Sequence, residues 1–353
     1  MSANPDAPPP GDAAFLRSDL KGTVVEATYA GALSFMRRKY SRDLAGVDIA
    51  VTGIPFDQAV TNRPGTRFGP RAVRAASAHF AWGPCWPWNF DPFDTLAVVD
   101  YGDCFFDWGR KEEVPEAIRR HVAGILAAGA SSLVIGGDHF VTYPVLEAHA
   151  ERHGPLALVQ FDAHRDVEPD PGGRIDHGTM FGLAIAEGII DPANSVQVGI
   201  RTTYQGEAGH GMTVLHADKV HEMPPAEIAA DVVRAVGGRK AYLSFDIDCL
   251  DPAFAPGTGT PVPGGLSSYQ AMSILRRLTD IEFTGMDLVE VSPPYDHAET
   301  TSLAACALML EYLCLKAWQH GARGWRRLPL SQRGAIHRHR IGEQRPNQQR
   351  GEC

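Results

Sequence analysis

The chain has 353 residues, 44% of them hydrophobic and 21% charged, a near-average balance that supports a sizeable core and excludes a fibrous or wholly disordered protein. A formal net charge of -9 argues against a nucleic-acid binder, because phosphate contact needs a basic face, and it favours cationic partners or metal ions. Six scattered cysteines (Cys85, Cys104, Cys249, Cys306, Cys314 and Cys353) form no C-x-x-C pair, which is the usage of a reducing compartment and reads them as core residues.

Residues 1–20 are polar and Pro-rich, so this stretch is expected to be mobile or laid across a neighbouring subunit. Asp6, Asp12 and four prolines within the first fifteen positions are unlike a secretory signal. No apolar stretch is read as reaching the roughly 18 residues of a membrane span, and a cytoplasmic protein with no membrane partner is expected. From Val47 the pattern alternates: the strand VDIAVTGI, a helix after Gly69-Pro70, the strand LAVVDYG, then a helix with Val114, Ile118, Val122, Ile125 and Leu126 at spacings of three and four. SLVIGG, the helix VTYPVLEAHAERH, the strands LALVQFD and SVQVGIR, a helix near residues 226–236, and the strand AYLSFDID continue it. A helix opened by Ser267 or Ser268, the strand FTGMDLVEV and a long apolar helix over about 301–318 complete it. Short apolar strands between amphipathic helices predict an α/β fold, a mostly parallel sheet covered on both faces, as one domain over 21–320. Residues 321–353 break the pattern with eight arginines against Glu343 and Glu352 and read as a basic, disordered tail; His337 and His339 there make a poor metal site.

Three strand ends carry acidic and imidazole groups. His139 lies in GGDHF after SLVIGG, Asp162, His164 and Asp166 lie in FDAHRD, and Asp246 and Asp248 lie in SFDIDCLDP. Spacing by two, on a strand that persists, puts Asp162, His164 and Asp166 on one side, and likewise Asp246 and Asp248. Four carboxylates and two imidazoles converging in a buried cleft are tolerable only with cations, and two divalent ions sharing carboxylates satisfy the charge. A lone strand-end Asp is more often a cap or turn residue, but three motifs at successive strand ends are hard to produce by accident. DIDCLDPAFAPG fails the calcium-loop template at Leu250, Asp251 and Gly257. With no thiolate beside the carboxylates, zinc suits the set less than harder ions.

GGDHF, FDAHRD, DHGTMF, SFDIDCLDPAFAPGTGTPVPGGLS and MDLVEVSPPYD resemble the ureohydrolase family of arginases and agmatinases, over about residues 53–317, and most of all its bacterial agmatinase branch. The resemblance implies a three-layer α/β arginase-like fold, a binuclear manganese centre, a hexamer, and hydrolysis of a guanidino compound to urea and an amine. It makes His139, Asp162, His164, Asp166, Asp246 and Asp248 the metal ligands. It also makes His177 the proton shuttle and Glu290 the carboxylate gripping the substrate guanidinium through paired oxygens. Such chemistry wants metals to lower the pKa of water, and Asp248 or His177 to carry a proton to the departing amine. Nickel and cobalt accept the same donors as manganese. In isolation, His177 could cap a helix near Gly178 and Glu290 could face solvent. Arg63, Arg67 and Arg71 read as partners of acidic neighbours.

FDAHRD departs from the family pattern at Arg165 and Val167, followed by Glu168. Strand alternation turns Arg165 away from the metals, yet the family places substrate-tail contacts after Asp166. Arg165, Val167 and Glu168 are therefore candidate substrate contacts, and another guanidino or biguanide compound such as metformin becomes an alternative to agmatine. Two further readings are a catalytically weak subunit in a hetero-hexamer with a paralogue, and a hydrolase of acetylated amines; DHGTMF and Glu290 count against the latter.

Overall fold

The computed structural model describes residues 12–23, 26–169, 176–203 and 210–322. Nine strands are present among them: β1 (Lys39–Tyr40), β2 (Ile49–Gly53), β3 (Val98–Asp103), β4 (Ser131–Ile135), β5 (Ala157–Phe161), β6 (Val196–Ile200), β7 (Thr213–His216), β8 (Ala241–Asp246) and β9 (Phe283–Val289). They form one sheet in the order β1-β3-β2-β4-β9-β8-β5-β6-β7, and every pairing is parallel. Strands β2, β5, β6, β8 and β9 are buried along their whole length, which is why they read as continuous apolar runs instead of alternating ones.

The described helices are α1 (Ala13–Leu16), α2 (Gly69–Ala76), α3 (Val114–Ala127), α4 (Thr142–His153), α5 (Met180–Ala186), α6 (Ala217–Glu222), α7 (Pro225–Val236), α8 (Ser268–Leu275) and α9 (Thr300–Gln319). On one face Val73 of α2, Ile228 of α7, Ile274 of α8 and Leu313 of α9 pack with Leu133, Val159 and Phe245 of the sheet. On the other, Ile118 of α3, Val145 of α4 and Phe181 of α5 pack with Val134, Leu158 and Tyr242. Neighbours such as Leu133 and Val134 thus serve opposite cores, as the two-residue period of a strand requires. This is the expected three-layer α/β architecture.

Several elements depart from the sequence reading. The edge strands β1 and β7 carry exposed residues and no apolar run, so the hydrophobic pattern misses them. Helix α1 packs near β1, with the Phe15 and Tyr40 rings 6.1 Å apart. Helix α8 is opened by Ser267, whose side chain and that of Gln270 form a reciprocal capping box. Helix α9, contrary to the expectation that no segment is long enough, has the length and composition to cross a membrane, but 67% of its most apolar window is buried inside the fold. Its charges are engaged there: Glu311 accepts from Trp88 Nε1 at 2.6 Å and pairs with Arg276, and Lys316 donates to the Phe283 carbonyl at 2.8 Å. Helix α9 is a core helix. The arginine-rich stretch 323–353, with His337, His339 and Cys353, lies outside the described residues; of the described cysteines, all but Cys85 are buried and none forms a disulfide.

Candidate metal centre and substrate cleft

Strands β4, β9, β8 and β5 are consecutive at the middle of the sheet, and their carboxyl ends open on one side. His139 opens a short 3-10 turn after β4, Asp246 ends β8, and Asp248 sits in the turn Ile247–Cys249 that follows. Asp162 comes one residue after β5, so the strand does not persist as the spacing argument assumed. Convergence has another cause: Asp162 Oδ1 accepts the His164 backbone N–H at 2.6 Å, and the chain turns left-handed at Asp166, φ 52°.

The result is nonetheless a single cluster. His139 Nδ1 lies 3.1, 2.9 and 3.2 Å from carboxylate oxygens of Asp162, Asp166 and Asp246. His164 Nδ1 lies 3.5 Å from Asp162 Oδ1 and 3.1 Å from Asp248 Oδ2. Two groups of donors are close enough to hold an ion each, His139–Asp162–Asp166 and Asp162–His164–Asp248, and Asp162 belongs to both, one oxygen facing each imidazole. Asp246 stands beside the first group and accepts the Asp248 backbone N–H at 2.8 Å.

The electrostatics fit a pair of cations. Burial, then the neighbouring Asp162 charge, pushes the Asp166 carboxyl up to about 7, and burial with Asp248 and Asp162 pushes Asp246 well above the usual range. Burial disfavours a charged His139, yet the carboxylates of Asp162, Asp166 and Asp246 around it override this and push its pKa above the ordinary value. His139 Nδ1 has no matched hydrogen-bond partner, only carboxylate oxygens around it. Carboxylate oxygens with two imidazoles and no thiolate suit divalent ions.

Beside the cluster, His177 Nδ1 is 3.0 Å from Glu290 Oε1, and its Nε2 is 2.8 Å from Thr61 Oγ1. Burial opposes the charged imidazole, but Glu290 raises its pKa to about 9. Glu290 follows β9 in a left-handed conformation, φ 64°, and is buried. Its Oε1 also accepts the His139 backbone N–H at 2.9 Å, while Oε2 is unpartnered. A Cβ at Gly259 would come within 3.3 Å of that oxygen. A small cavity of about 70 Å³ over the cluster is lined by Thr61, His164, Asp166, Glu168, Asp176 and His177, among others.

The three departures from the family pattern go to different places. Arg165 donates from Nε to Gln197 Oε1 at 3.1 Å, behind the centre, and does not line the cavity. Val167 is 1% exposed, packed within the apolar cluster of α3, α4 and α5, and does not line the cavity. Glu168 does line the cavity. Arg67 pairs with Asp57, whereas Arg63 stacks on Tyr295 with 5.1 Å to the ring centroid.

Sequence reasoning missed a supporting shell. Gln160 donates to Asp162 Oδ2 at 2.8 Å and accepts from Gln197 Nε2 at 2.6 Å, and Thr260 donates to Asp248 Oδ2 at 3.2 Å. The signal was legible: LALVQFD and SVQVGIR each hold one polar residue inside an apolar strand, and a buried amide needs partners.

A family model described as the arginase family matches residues 47–314. The chain is 53% identical to an agmatinase of Chromobacterium violaceum over 307 residues, covering 86% of this chain and 95% of the relative. Among solved structures, a hypothetical agmatinase from Burkholderia thailandensis superposes with a TM-score of 0.86 at 52% identity, covering 88% of this chain and 98% of that one. Proclavaminate amidino hydrolase from Streptomyces clavuligerus superposes with a TM-score of 0.79 at 40% identity, covering 83% and 100%.

Proposed function

The chain belongs to the arginase family, and from that premise we propose that it hydrolyses agmatine to putrescine and urea. Agmatine carries a guanidinium at one end and a primary ammonium at the other. The observation that supports it over other guanidino compounds is the sign of the cavity wall: beyond the metal cluster stands Glu168, a carboxylate that suits a second cationic group and repels a substrate carboxylate such as that of arginine. The relatives named agmatinase agree with this choice. A biguanide reading is not favoured: the relatives are named agmatinase, and of Arg165, Val167 and Glu168 only Glu168 lines the cavity.

His139, Asp162, His164, Asp166, Asp246 and Asp248 would hold two divalent ions, which we assign as manganese, with nickel able to take the same donors. When bound, the ions offset the carboxylate charge and lower the pKa of a water at the guanidinium carbon. Glu290 Oε2 receives a guanidinium N–H and fixes the carbon against that water. His177, held through Nδ1 by Glu290, or alternatively the carboxylate of Asp248, would carry a proton to the departing amine. Arg165 and the Gln160–Gln197 pair hold the loop behind the ligands and touch no substrate. We place the protein in the cytoplasm as a homo-hexamer.

A substrate panel tests the reading. On metal-loaded protein, kcat/KM for agmatine should exceed that for arginine, guanidinobutyrate and metformin by about 100-fold or more, the scale of a misplaced charge in a partly buried site. Arg165→Thr should leave that ranking unchanged. Metformin as the best substrate, or a gain towards agmatine in the variant, would overturn it.

A further inference from the structure

The second nitrogen of His139 faces away from the carboxylates. His139 Nε2 lies 2.9 Å from Ser244 Oγ, and Ser244 Oγ donates to Asp287 Oδ1 at 2.7 Å. Ser244 and Asp287 are both 0% exposed, Ser244 on β8 and Asp287 on the adjacent β9, whose register pairs the two residues directly. A serine hydroxyl has one proton. With that proton committed to Asp287 Oδ1, Ser244 is left with lone pairs and can only accept from His139 Nε2–H. The proton on Nε2 in turn leaves the Nδ1 lone pair for whatever sits among Asp162, Asp166 and Asp246. His164 has no such arrangement: its Nδ1 faces Asp162 and Asp248, and it is partly exposed.

We propose that Asp287, acting through Ser244, is a positioning residue that fixes the Nε2–H tautomer of His139 and thereby sets the affinity of the His139-side ion, not that of the His164-side ion. The inference rests on the two-metal reading above and deepens it. It makes an ordered prediction. In Asp287→Asn the amide can donate to Ser244 Oγ, which frees the serine proton to point at His139 Nε2 and selects the tautomer whose Nδ1–H blocks the ion. In Ser244→Ala the imidazole merely loses its partner, so the milder effect belongs to the more drastic-looking change.

The test is calorimetric titration of manganese into metal-stripped full-length protein, with metal content read in parallel and folding checked by near-ultraviolet circular dichroism. The parent should bind two ions, and His139→Asn should identify the ion that depends on this side. Asp287→Asn should weaken that same ion by about 10–100-fold, Ser244→Ala by less, and Ser244→Thr, which keeps the hydroxyl, should restore it, all with the other ion unchanged. Equal weakening of both ions, selective weakening of the other ion, or unaltered binding in Asp287→Asn would overturn the positioning role while leaving the two-metal reading intact. A parent that binds no ion would overturn that reading and this inference with it. If Asp287→Asn fails to fold, the contrast between Ser244→Ala and Ser244→Thr decides: equal affinity in the two overturns the proposal.

Discussion

Glu290 concentrates the chemistry in one side chain. Its Oε1 is occupied by the His139 backbone N–H and by His177, which leaves the buried Oε2 for the guanidinium contact we propose, and the buried charge is tolerable only beside those donors. Glu290→Gln keeps the shape and loses the charge. We expect kcat/KM for agmatine to fall at least about tenfold, with two ions still bound and the proton on His177 less firmly held. Metal analysis alongside steady-state kinetics checks this, and unchanged kinetics would remove the anchoring role. The residues at this scale were legible unevenly. His139, Asp162, His164, Asp166, Asp246 and Asp248 stood out because each follows an apolar run that must end at the same edge of a parallel sheet. The reason first given for FDAHRD was wrong, since β5 stops at Phe161, and the turn that replaces it depends on a left-handed aspartate, a conformation that sequence spacing does not encode.

At the scale of elements, the strands β4, β9, β8 and β5 deliver the donors, and the loops between strands and helices must pack closely enough to hold them. Gly137 shows how closely: a Cβ there would sit 1.7 Å from the Phe56 carbonyl oxygen, while its own carbonyl accepts the Glu290 N–H at 2.8 Å. The GG of GGDHF is thus a packing requirement that brings His139 and Glu290 side by side. Helix α8 offers a cleaner energetic test, since its capping box lies away from the metal cluster. Ser267→Ala should lower unfolding free energy by about 1 kcal/mol, seen as a shifted denaturant midpoint at unchanged slope. No shift would mean that packing of Ala271, Ile274 and Leu275 holds the helix without its cap. Central strands and amphipathic helices were legible because burial on both faces writes itself into composition. The edge strands β1 and β7 were not, because pairing on one side with exposed side chains leaves no periodic apolar signal.

For the whole molecule, buried titratable groups tie stability to pH. His149 is 0% exposed between α4 and the sheet, its Nε2 2.8 Å from Ser132 Oγ, and burial, with a smaller contribution from His153, lowers its pKa to about 3 from an ordinary 6.5. A depressed folded value means that the unfolded chain takes up this proton first. The contribution is complete above pH 6.5 and is lost as pH falls towards 3, at about 1.4 kcal/mol per pH unit. His149→Gln should therefore flatten the fall in unfolding free energy between pH 6.5 and 4 relative to the parent, and parallel profiles would refute the assignment. The fold as a whole was legible from the alternation of strands and helices. The membrane-like length of α9 shows the limit of reading segments singly, because a core helix and a spanning helix share composition and only packing separates them. The account as a whole turns on Asp162, which belongs to both groups of metal donors. The most direct measurement is metal content per chain together with urea release from agmatine in Asp162→Ala. We predict that both ions and the urea are lost together while the fold persists, whereas a variant that keeps two ions, or goes on releasing urea, would contradict a centre built on one shared carboxylate.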